Sequence, residues 1–247
     1  MEVLALDTSN RPLSVAVVED HHVLSTVTTT VHRMHSRELL PIIKRLMAHS
    51  GLEPGDLTRV VVASGPGSYT GIRIACTTAK VLAFCLGIDL VSVSSLRTLA
   101  LNLADNEGAL VNPVFDARND NLYTGLYKIK NHVPVRVISD QHIPLVNWLT
   151  RLKKIHQPII GIGDANHFTM QYRKALGRQI SIVSGLNNLP QAGALGLYGE
   201  KQPPVSDVNA FLPNYLRLTP AQAKWLKKHP HASRKPSSYV DMYRAEI

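Results

Sequence analysis

The feature that most constrains the fold is a strand-and-turn pattern that occurs twice in the chain. Leu4–Ser9 is an apolar run that ends in Asp7 and small polar residues, and Pro113–Arg118 repeats this pattern around Asp116. In both copies another strand-like run begins six residues after the aspartate. Repetition of one supersecondary unit is typical of a duplicated architecture. We therefore predict two related domains, the first over residues 1–110 and the second over residues 111–247.

The first copy predicts a mixed sheet. Two short turns, at Asn10–Pro12 and Asp20–His22, join three strands with no helix between them, which indicates an antiparallel start. A helix from Ser36 to Ser50, a strand at Val60–Ala63 and a helix at Ile72–Leu86 follow. The resulting β-β-β-α-β-α-β order differs from a dinucleotide-binding domain, in which a helix directly follows the first strand. We predict the α/β class with two mixed sheets.

A glycine-rich loop lies between the predicted fourth strand and second helix. A strand, a glycine loop and a helix in succession can present backbone N–H groups to an anion. The loop matches neither phosphate motif, because Gly71 is followed by Ile72 instead of lysine, and Gly65, Gly67 and Gly71 are spaced G-x-G-x-x-x-G. Two interpretations stay open: an anion-binding loop, and a tight strand-to-helix turn without a ligand.

The charge and the cysteine content indicate which partners and which cellular compartment to expect. The net charge is +9, and a basic run at residues 224–235 predicts either attraction to phosphate backbones or a solubilising tail. We expect no signal peptide, and no apolar run long enough to cross a bilayer. Cys76 and Cys85 are nine residues apart, on opposite faces of one predicted helix, and cannot form a disulfide with each other. These features favour a cytoplasmic protein.

Six motifs in order identify a family resemblance. The duplicated plan is that of the actin, Hsp70 and sugar-kinase (ASKHA) superfamily, and the motifs closely resemble the TsaB (YeaZ) family of tRNA threonylcarbamoyladenosine biosynthesis. The motifs are Leu6-Asp7-Thr8-Ser9, His35-Ser36 with Leu39-Leu40-Pro41, Gly65-Pro66-Gly67-Ser68-Tyr69-Thr70-Gly71-Ile72-Arg73, Ser94-Ser95-Leu96, Asp116-Ala117-Arg118 and Pro213-Asn214-Tyr215-Leu216-Arg217.

The resemblance implies a subunit that carries out no chemistry alone. Proteins of this family bind TsaD, which transfers the threonylcarbamoyl group to N6 of the adenosine beside the tRNA anticodon, and the P-loop ATPase TsaE joins them. The resemblance further implies a homodimer when TsaD is absent, no cofactor of the chain's own, ATP or ADP at the interface shared within the complex, and contact with tRNA through that complex. The basic C-terminal tail is a candidate to assist the tRNA contact.

The same resemblance points to the two helices of the first domain as the partner interface. The helix at Ile72–Leu86 has few polar residues and must be covered on nearly every side. From the residues alone, burial inside this protein and contact with another chain are both open, and the family resemblance favours contact. The predicted interface residues are His35, Leu39, Leu40, Ile43, Met47, Ile72, Ala75, Thr78, Ala79 and Ala83.

Nucleotide or anion contact is a separate prediction. In an active kinase, Asp7 and Asp116 would bind metal-linked phosphate, whereas their structural role would be to accept N–H bonds from the following turn. Gly161-x-Gly163 departs from the Gly-Gly pair of an ASKHA adenosine loop. The candidate nucleotide or anion contacts are Asp7, Thr8, Ser9, Gly67, Ser68, Thr70 and Arg73.

A metal site is not expected. His32 and His35 have the spacing of neighbours on one helix face, but the sequence supplies no third ligand nearby. No residue is therefore predicted to be catalytic or to bind metal. The remaining alternatives are an ATP-dependent small-molecule kinase of the same fold, a metallopeptidase, and a tRNA-binding module that acts through its basic tail.

Overall fold

The computed structural model describes residues 1–31 and 35–217, so His32 and the basic run at 224–235 lie outside the described residues. Residues Met1–Tyr215 form one compact unit. Its strands are β1 (Glu2–Asp7), β2 (Leu13–Glu19), β3 (His22–Thr29), β4 (Arg59–Ala63), β5 (Asp89–Val93), β6 (Leu110–Asp116), β7 (Asn121–Lys130), β8 (Val133–Pro144), β9 (Ile159–Gly163) and β10 (Ile180–Ile182). Its α-helices are α1 (His35–His49), α2 (Tyr69–Leu86), α3 (Ser95–Leu101), α4 (Leu145–Leu152), α5 (Thr169–Leu176) and α6 (Ala192–Gly199).

The strands form two five-stranded sheets with the same connectivity. Sheet 1 has the order β3-β2-β1-β4-β5, and sheet 2 has the equivalent order β8-β7-β6-β9-β10. In each sheet the first three strands are antiparallel and the last two run parallel to the central one. The predicted duplication and the α/β class with mixed sheets are confirmed. The division into domains at residue 110 stays a prediction.

Each sheet is covered on both faces, because alternate residues of a strand point to opposite sides. On β1, Leu4 and Leu6 pack with α1 and α2, whereas Val3 and Ala5 pack with α6. Helices α4 and α5 cover one face of sheet 2, and α3 covers the other. Although α6 follows sheet 2 in sequence, it packs on sheet 1.

Close packing of α6 depends on its glycines. Gly193, Gly196 and Gly199 lie one turn apart, and a Cβ added at each would come within 3.1 Å or less of a valine side chain of sheet 1. Arg59 fixes the end of this helix, since its guanidinium donates to the carbonyls of Gly199 and Glu200 at 3.0 and 2.8 Å. The helix therefore joins the second half of the sequence to the first sheet.

Helix α2 begins earlier than predicted, at Tyr69, because Ser68 caps it by accepting a hydrogen bond from the Gly71 N–H. It ends at Gly87, which adopts the left-handed conformation. Among the described helices, α2 alone has the length and apolar composition of a membrane span, so the expectation that no apolar run is long enough is wrong by that measure. It connects β4 to β5, which are parallel neighbours, and packs on both.

Candidate functional site

The glycine loop after β4 packs directly on the turn that ends β1. A Cβ added to Gly67 or Gly71 would overlap the carbonyl oxygen of Ser9 or Thr8, so glycine is required at both positions. The Ser68 N–H donates to the Ser9 carbonyl at 2.7 Å, and the Thr8 hydroxyl donates to the Gly71 carbonyl at 2.6 Å. The loop therefore packs directly on the β1 turn and is held to it by two hydrogen bonds, while anion binding by its other N–H groups stays a prediction.

Asp7 lies beneath this loop and is 1% exposed. One carboxylate oxygen accepts the Ser9 N–H at 2.8 Å, and the other has no hydrogen-bond partner among the described residues. Burial raises the pKa of Asp7 to about 6, because the charged carboxylate loses its hydration. Burial, together with the nearby Asp7, also raises the pKa of the Cys76 thiol to about 12. Asp7 thus belongs to a structural turn and is closed to solvent.

Asp116 occupies the equivalent position at the end of β6. Its Oδ1 accepts the Arg118 N–H at 2.8 Å, which is the predicted turn role, and its own N–H donates to Asp164 at 2.9 Å. The Asn10 side-chain amide donates to the same Asp164 oxygen at 3.2 Å. Asp164 therefore links the turn after β1 to the end of β6 by hydrogen bonds. The two sheets are joined at this point by polar contacts within the chain.

The loop after β9 is also occupied by the chain itself. The Asn188 side chain accepts the Gly163 N–H at 2.6 Å and donates to the Gly163 carbonyl at 2.9 Å. Gly163 has a φ of 79°, and a Cβ there would meet Leu99 at 2.5 Å. The backbone of this loop is therefore held by a side-chain amide that sequence reasoning did not identify.

The two predicted interface helices lie side by side on sheet 1, but most of the predicted interface side chains face the sheet. The choice of contact residues stays a prediction, but seven of them are buried in the core as the helices stand, and of these Leu39 also lines the groove between α1 and α2. The seven are Leu39, Ile43, Met47, Ile72, Ala75, Ala79 and Ala83. Of the others, Leu40 is exposed, and His35 and Thr78 are half-buried.

The exposed face of α2 carries a stripe of polar and large apolar side chains. Arg73, Thr77, Val81 and Phe84 follow one another at spacings of three and four residues and therefore form one stripe. Val81 is 53% exposed and Phe84 is 64% exposed, which are high values for large apolar side chains. Neither was among the predicted contacts, although the helical spacing from Arg73 could have identified both.

A groove of about 460 Å³ separates α1 from α2 next to this stripe. Its lining includes the predicted contacts Leu39 and Leu40 from α1 and Thr78 from α2, together with Tyr69, Arg73 and Thr77. The Arg73 guanidinium donates to the Tyr69 hydroxyl at 2.9 Å, and the Tyr215 ring lies 5.0 Å from the Tyr69 ring. We define the α1–α2 face as the exposed stripe and this groove, with the residues Leu40, Tyr69, Thr70, Arg73, Thr77, Val81, Phe84 and Tyr215.

The remaining predicted contacts divide between these two places. Thr8 and Ser9 are fully buried under the loop, and Gly67 is half-buried. Ser68 and Thr70 are exposed at the start of α2 beside Arg73. The described residues contain no group of three His, Cys, Asp or Glu side chains that could hold a metal ion, and His35 Nε2 lies 3.1 Å from the Asn10 carbonyl. The predicted nucleotide residues therefore do not form one open site in this structure.

Known proteins place the chain in a family. The model of the family described as "TsaD: tRNA N6-adenosine threonylcarbamoyltransferase" matches residues 22–192. The chain is 39% identical over 228 residues to the tRNA threonylcarbamoyladenosine biosynthesis protein TsaB of Bacillus subtilis, which covers 92% of this chain and 99% of that protein. It is 32% identical to Escherichia coli TsaB over 134 residues, which cover 52% of this chain and 55% of that protein.

Solved structures agree with the sequence comparisons. YeaZ from Pseudomonas aeruginosa superposes with a TM-score of 0.71 at 27% identity, covering 87% of this chain and 99% of that one. A second structure from the same organism, of an uncharacterized protein with similarity to the peptidase YeaZ, gives a TM-score of 0.75 at the same identity and coverage. The chain therefore has the two-sheet ASKHA-like fold and belongs to the TsaB (YeaZ) family of tRNA threonylcarbamoyladenosine biosynthesis proteins.

Proposed function

We propose that this chain is a non-catalytic subunit in tRNA threonylcarbamoyladenosine formation and that it acts by binding and activating a TsaD protein. A relative that matches 92% of this chain is named for this pathway. The observation that carries the proposal is the α1–α2 face, because Val81 and Phe84 expose apolar area next to a groove on helices that are rigidly packed on sheet 1.

The closed loops favour a binding role over an active kinase. A kinase of this fold would use Asp7 on metal-linked phosphate, but this carboxyl is buried, and the Ser9 carbonyl already accepts the Ser68 N–H of the glycine loop. The Asn188 amide likewise bonds both backbone groups of Gly163, in the loop that departs from the Gly-Gly pair of the resemblance. Nucleotide binding would require both turns to open, at the cost of these hydrogen bonds.

The other partners follow from the same proposal. TsaE, the P-loop ATPase, joins the complex, and ATP or ADP lies at a shared interface and not in a site of this chain. Two copies pair through the α1–α2 face when TsaD is absent, because the apolar stripe needs cover. The complex works in the cytoplasm and receives tRNA as a whole.

The test compares two variants that each replace one exposed apolar side chain with glutamate, one inside the α1–α2 face and one outside it. Phe84→Glu puts a carboxylate in the α1–α2 face, whereas Leu186→Glu does so at an exposed leucine far along the sequence. Losing one buried aromatic anchor costs about 2 kcal/mol or more, so affinity for the organism's TsaD should fall at least about thirtyfold. Calorimetric titration measures this.

We expect Phe84→Glu to bind weakly and Leu186→Glu to bind like the wild type, with equal melting temperatures for the two variants. Unchanged affinity for Phe84→Glu would remove the α1–α2 face from the proposal. Substitutions at Leu39 or Ala79 are unsuitable here, because both side chains are in the core and a charge there would report on folding.

A further inference from the structure

The outer layer of sheet 2 carries an excess of positive charge. Between Leu145 and Ile180 the chain has six lysine and arginine residues and one acidic residue, Asp164. All six basic side chains are exposed. We call them the α4–α5 basic face: Arg151, Lys153, Lys154, Arg173, Lys174 and Arg178.

The fold places the two segments that carry these cations side by side. Helices α4 and α5 pack against each other through a core that includes Trp148 and Tyr172. The Gln179 side chain, just after α5, donates to the carbonyls of Ile155 and Gln157, just after α4. The C-terminal ends of the two helices are therefore adjacent, and the basic residues lie at these ends.

Nothing described in the chain neutralises this charge. None of the ion pairs between described residues involves the α4–α5 basic face. Arg151 donates to the Gln141 amide oxygen, which is uncharged, and the Asp164 carboxylate accepts from Asn10 and Asp116 instead. Favourable interaction with the helix dipoles is worth about 0.3–1 kcal/mol per charge and is limited to the last turn, so it does not account for six cations.

The distribution of apolar residues indicates which polyanion fits. A peripheral membrane site combines cations with apolar side chains that enter the bilayer. The large exposed apolar residues of these helices, Val146 and Met170, lie in the first turns, at the opposite ends from the cations. A face of cations without apolar neighbours is typical of binding to a nucleic-acid backbone.

We propose that the α4–α5 basic face binds the phosphate backbone of tRNA. This inference rests on the proposed function for the identity of the RNA, but it concerns a surface on the opposite sheet from the α1–α2 face. Contact with phosphates is independent of base sequence, so this face would hold the tRNA while another subunit selects the reacting adenosine.

The experiment compares full-length variants with equal loss of charge. The test variant carries Lys153→Gln, Lys154→Gln, Lys174→Gln and Arg178→Gln. One control changes exposed cations elsewhere: Arg11→Gln, Lys130→Gln, Arg136→Gln and Lys201→Gln. A second control changes the C-terminal run: Lys224→Gln, Lys227→Gln, Lys228→Gln and Lys235→Gln. Fluorescence anisotropy with an unmodified tRNA transcript gives the affinity from 50 to 200 mM salt, with and without TsaD.

We expect the test variant to bind tRNA at least about tenfold more weakly and to lower the slope of log affinity against log salt by roughly 3, since each phosphate contact contributes about 0.7–0.9. Equal loss in the first control would overturn the inference, because it would show a general effect of net charge. Unchanged binding by the test variant, with loss in the C-terminal control, would assign the tRNA contact to the tail and also overturn it. Salt-sensitive binding to vesicles of phosphatidylserine and phosphatidylcholine, with tRNA binding unaffected, would assign the face to a membrane and also contradict the inference.

The two proposals can fail separately. If the test variant still binds TsaD with wild-type affinity but loses tRNA, both proposals are supported. If the wild-type chain does not bind TsaD while the test variant loses tRNA, the proposed function is wrong and the RNA-binding face remains.

Discussion

The buried carboxyl of Asp7 makes a quantitative prediction about stability and pH. Its folded pKa of about 6 is well above the ordinary value of 3.8, because burial removes the hydration of the charge. A group whose pKa is raised by folding stabilises the fold most at low pH and loses that contribution as the pH rises through the folded pKa. The difference of about two pH units corresponds to about 3 kcal/mol, of which about 2 kcal/mol should be lost between pH 4.5 and 8.

The assay is urea unfolding of the wild type and of Asp7→Asn across this pH range. Asparagine keeps the acceptor for the Ser9 N–H but does not ionise, so its free energy of unfolding lacks this contribution. We expect the wild-type value minus the Asp7→Asn value to fall by about 2 kcal/mol from pH 4.5 to 8. Asp116→Asn, at the equivalent strand end, controls for the loss of one carboxylate. A difference between wild type and Asp7→Asn that does not change with pH would refute the reasoning, because it would mean that the charged carboxylate has a partner.

Two further predictions concern the contacts that hold the candidate sites. Gly71→Ala should lower the free energy of unfolding by about 1–3 kcal/mol, because its Cβ would overlap the Thr8 carbonyl. The control Gly55→Ala, whose Cβ would meet nothing within 4 Å, should change the free energy of unfolding by less than about 0.5 kcal/mol. Thermal melts of both variants measure the two effects. Arg59→Met should cost about 2–3 kcal/mol in urea unfolding, because the buried carbonyls at the end of α6 lose their donor, and a wild-type midpoint would contradict that role.

Local pattern was sufficient for the architecture. The hairpins and the repeated aspartates predicted two mixed sheets, because alternation and short turns are encoded by neighbouring residues. The start of α2 was predicted three residues late, because a glycine at position 71 is unusual inside a helix. In the structure Gly71 lies in the first turn, and Ser68 caps the helix before it. Boundaries set by capping are harder to predict than the presence of an element.

The orientation of α2 was harder to predict than its existence. When a helix is apolar on nearly every side, the sequence does not determine which stripe faces the sheet. Ala75, Ala79 and Ala83 were predicted to allow approach by another chain, but their small size serves close packing on sheet 1. The larger Val81 and Phe84 remain outside. Packing against strands that are distant in sequence determines which side chains of α2 are buried and which are exposed.

Long-range contacts account for the rest of what the sequence did not predict. Asn188 reaches Gly163 from 25 residues away, and α6 returns to sheet 1 after sheet 2 is complete. No local motif marks either contact. Both depend on the finished fold, so they could be identified only from the structure.

The most direct test of the proposed function is a titration of this chain into a fixed amount of TsaD with threonylcarbamoyl-adenylate and tRNA. The proposed function predicts no product from this chain alone and a rate that saturates as the chain is added. With Phe84→Glu, half-saturation should move to at least about thirtyfold higher concentration while the maximum rate stays the same, because the α1–α2 face provides binding and no chemistry. Product formed by this chain without TsaD, or a lower maximum rate with unchanged half-saturation, would contradict a purely binding role for this chain.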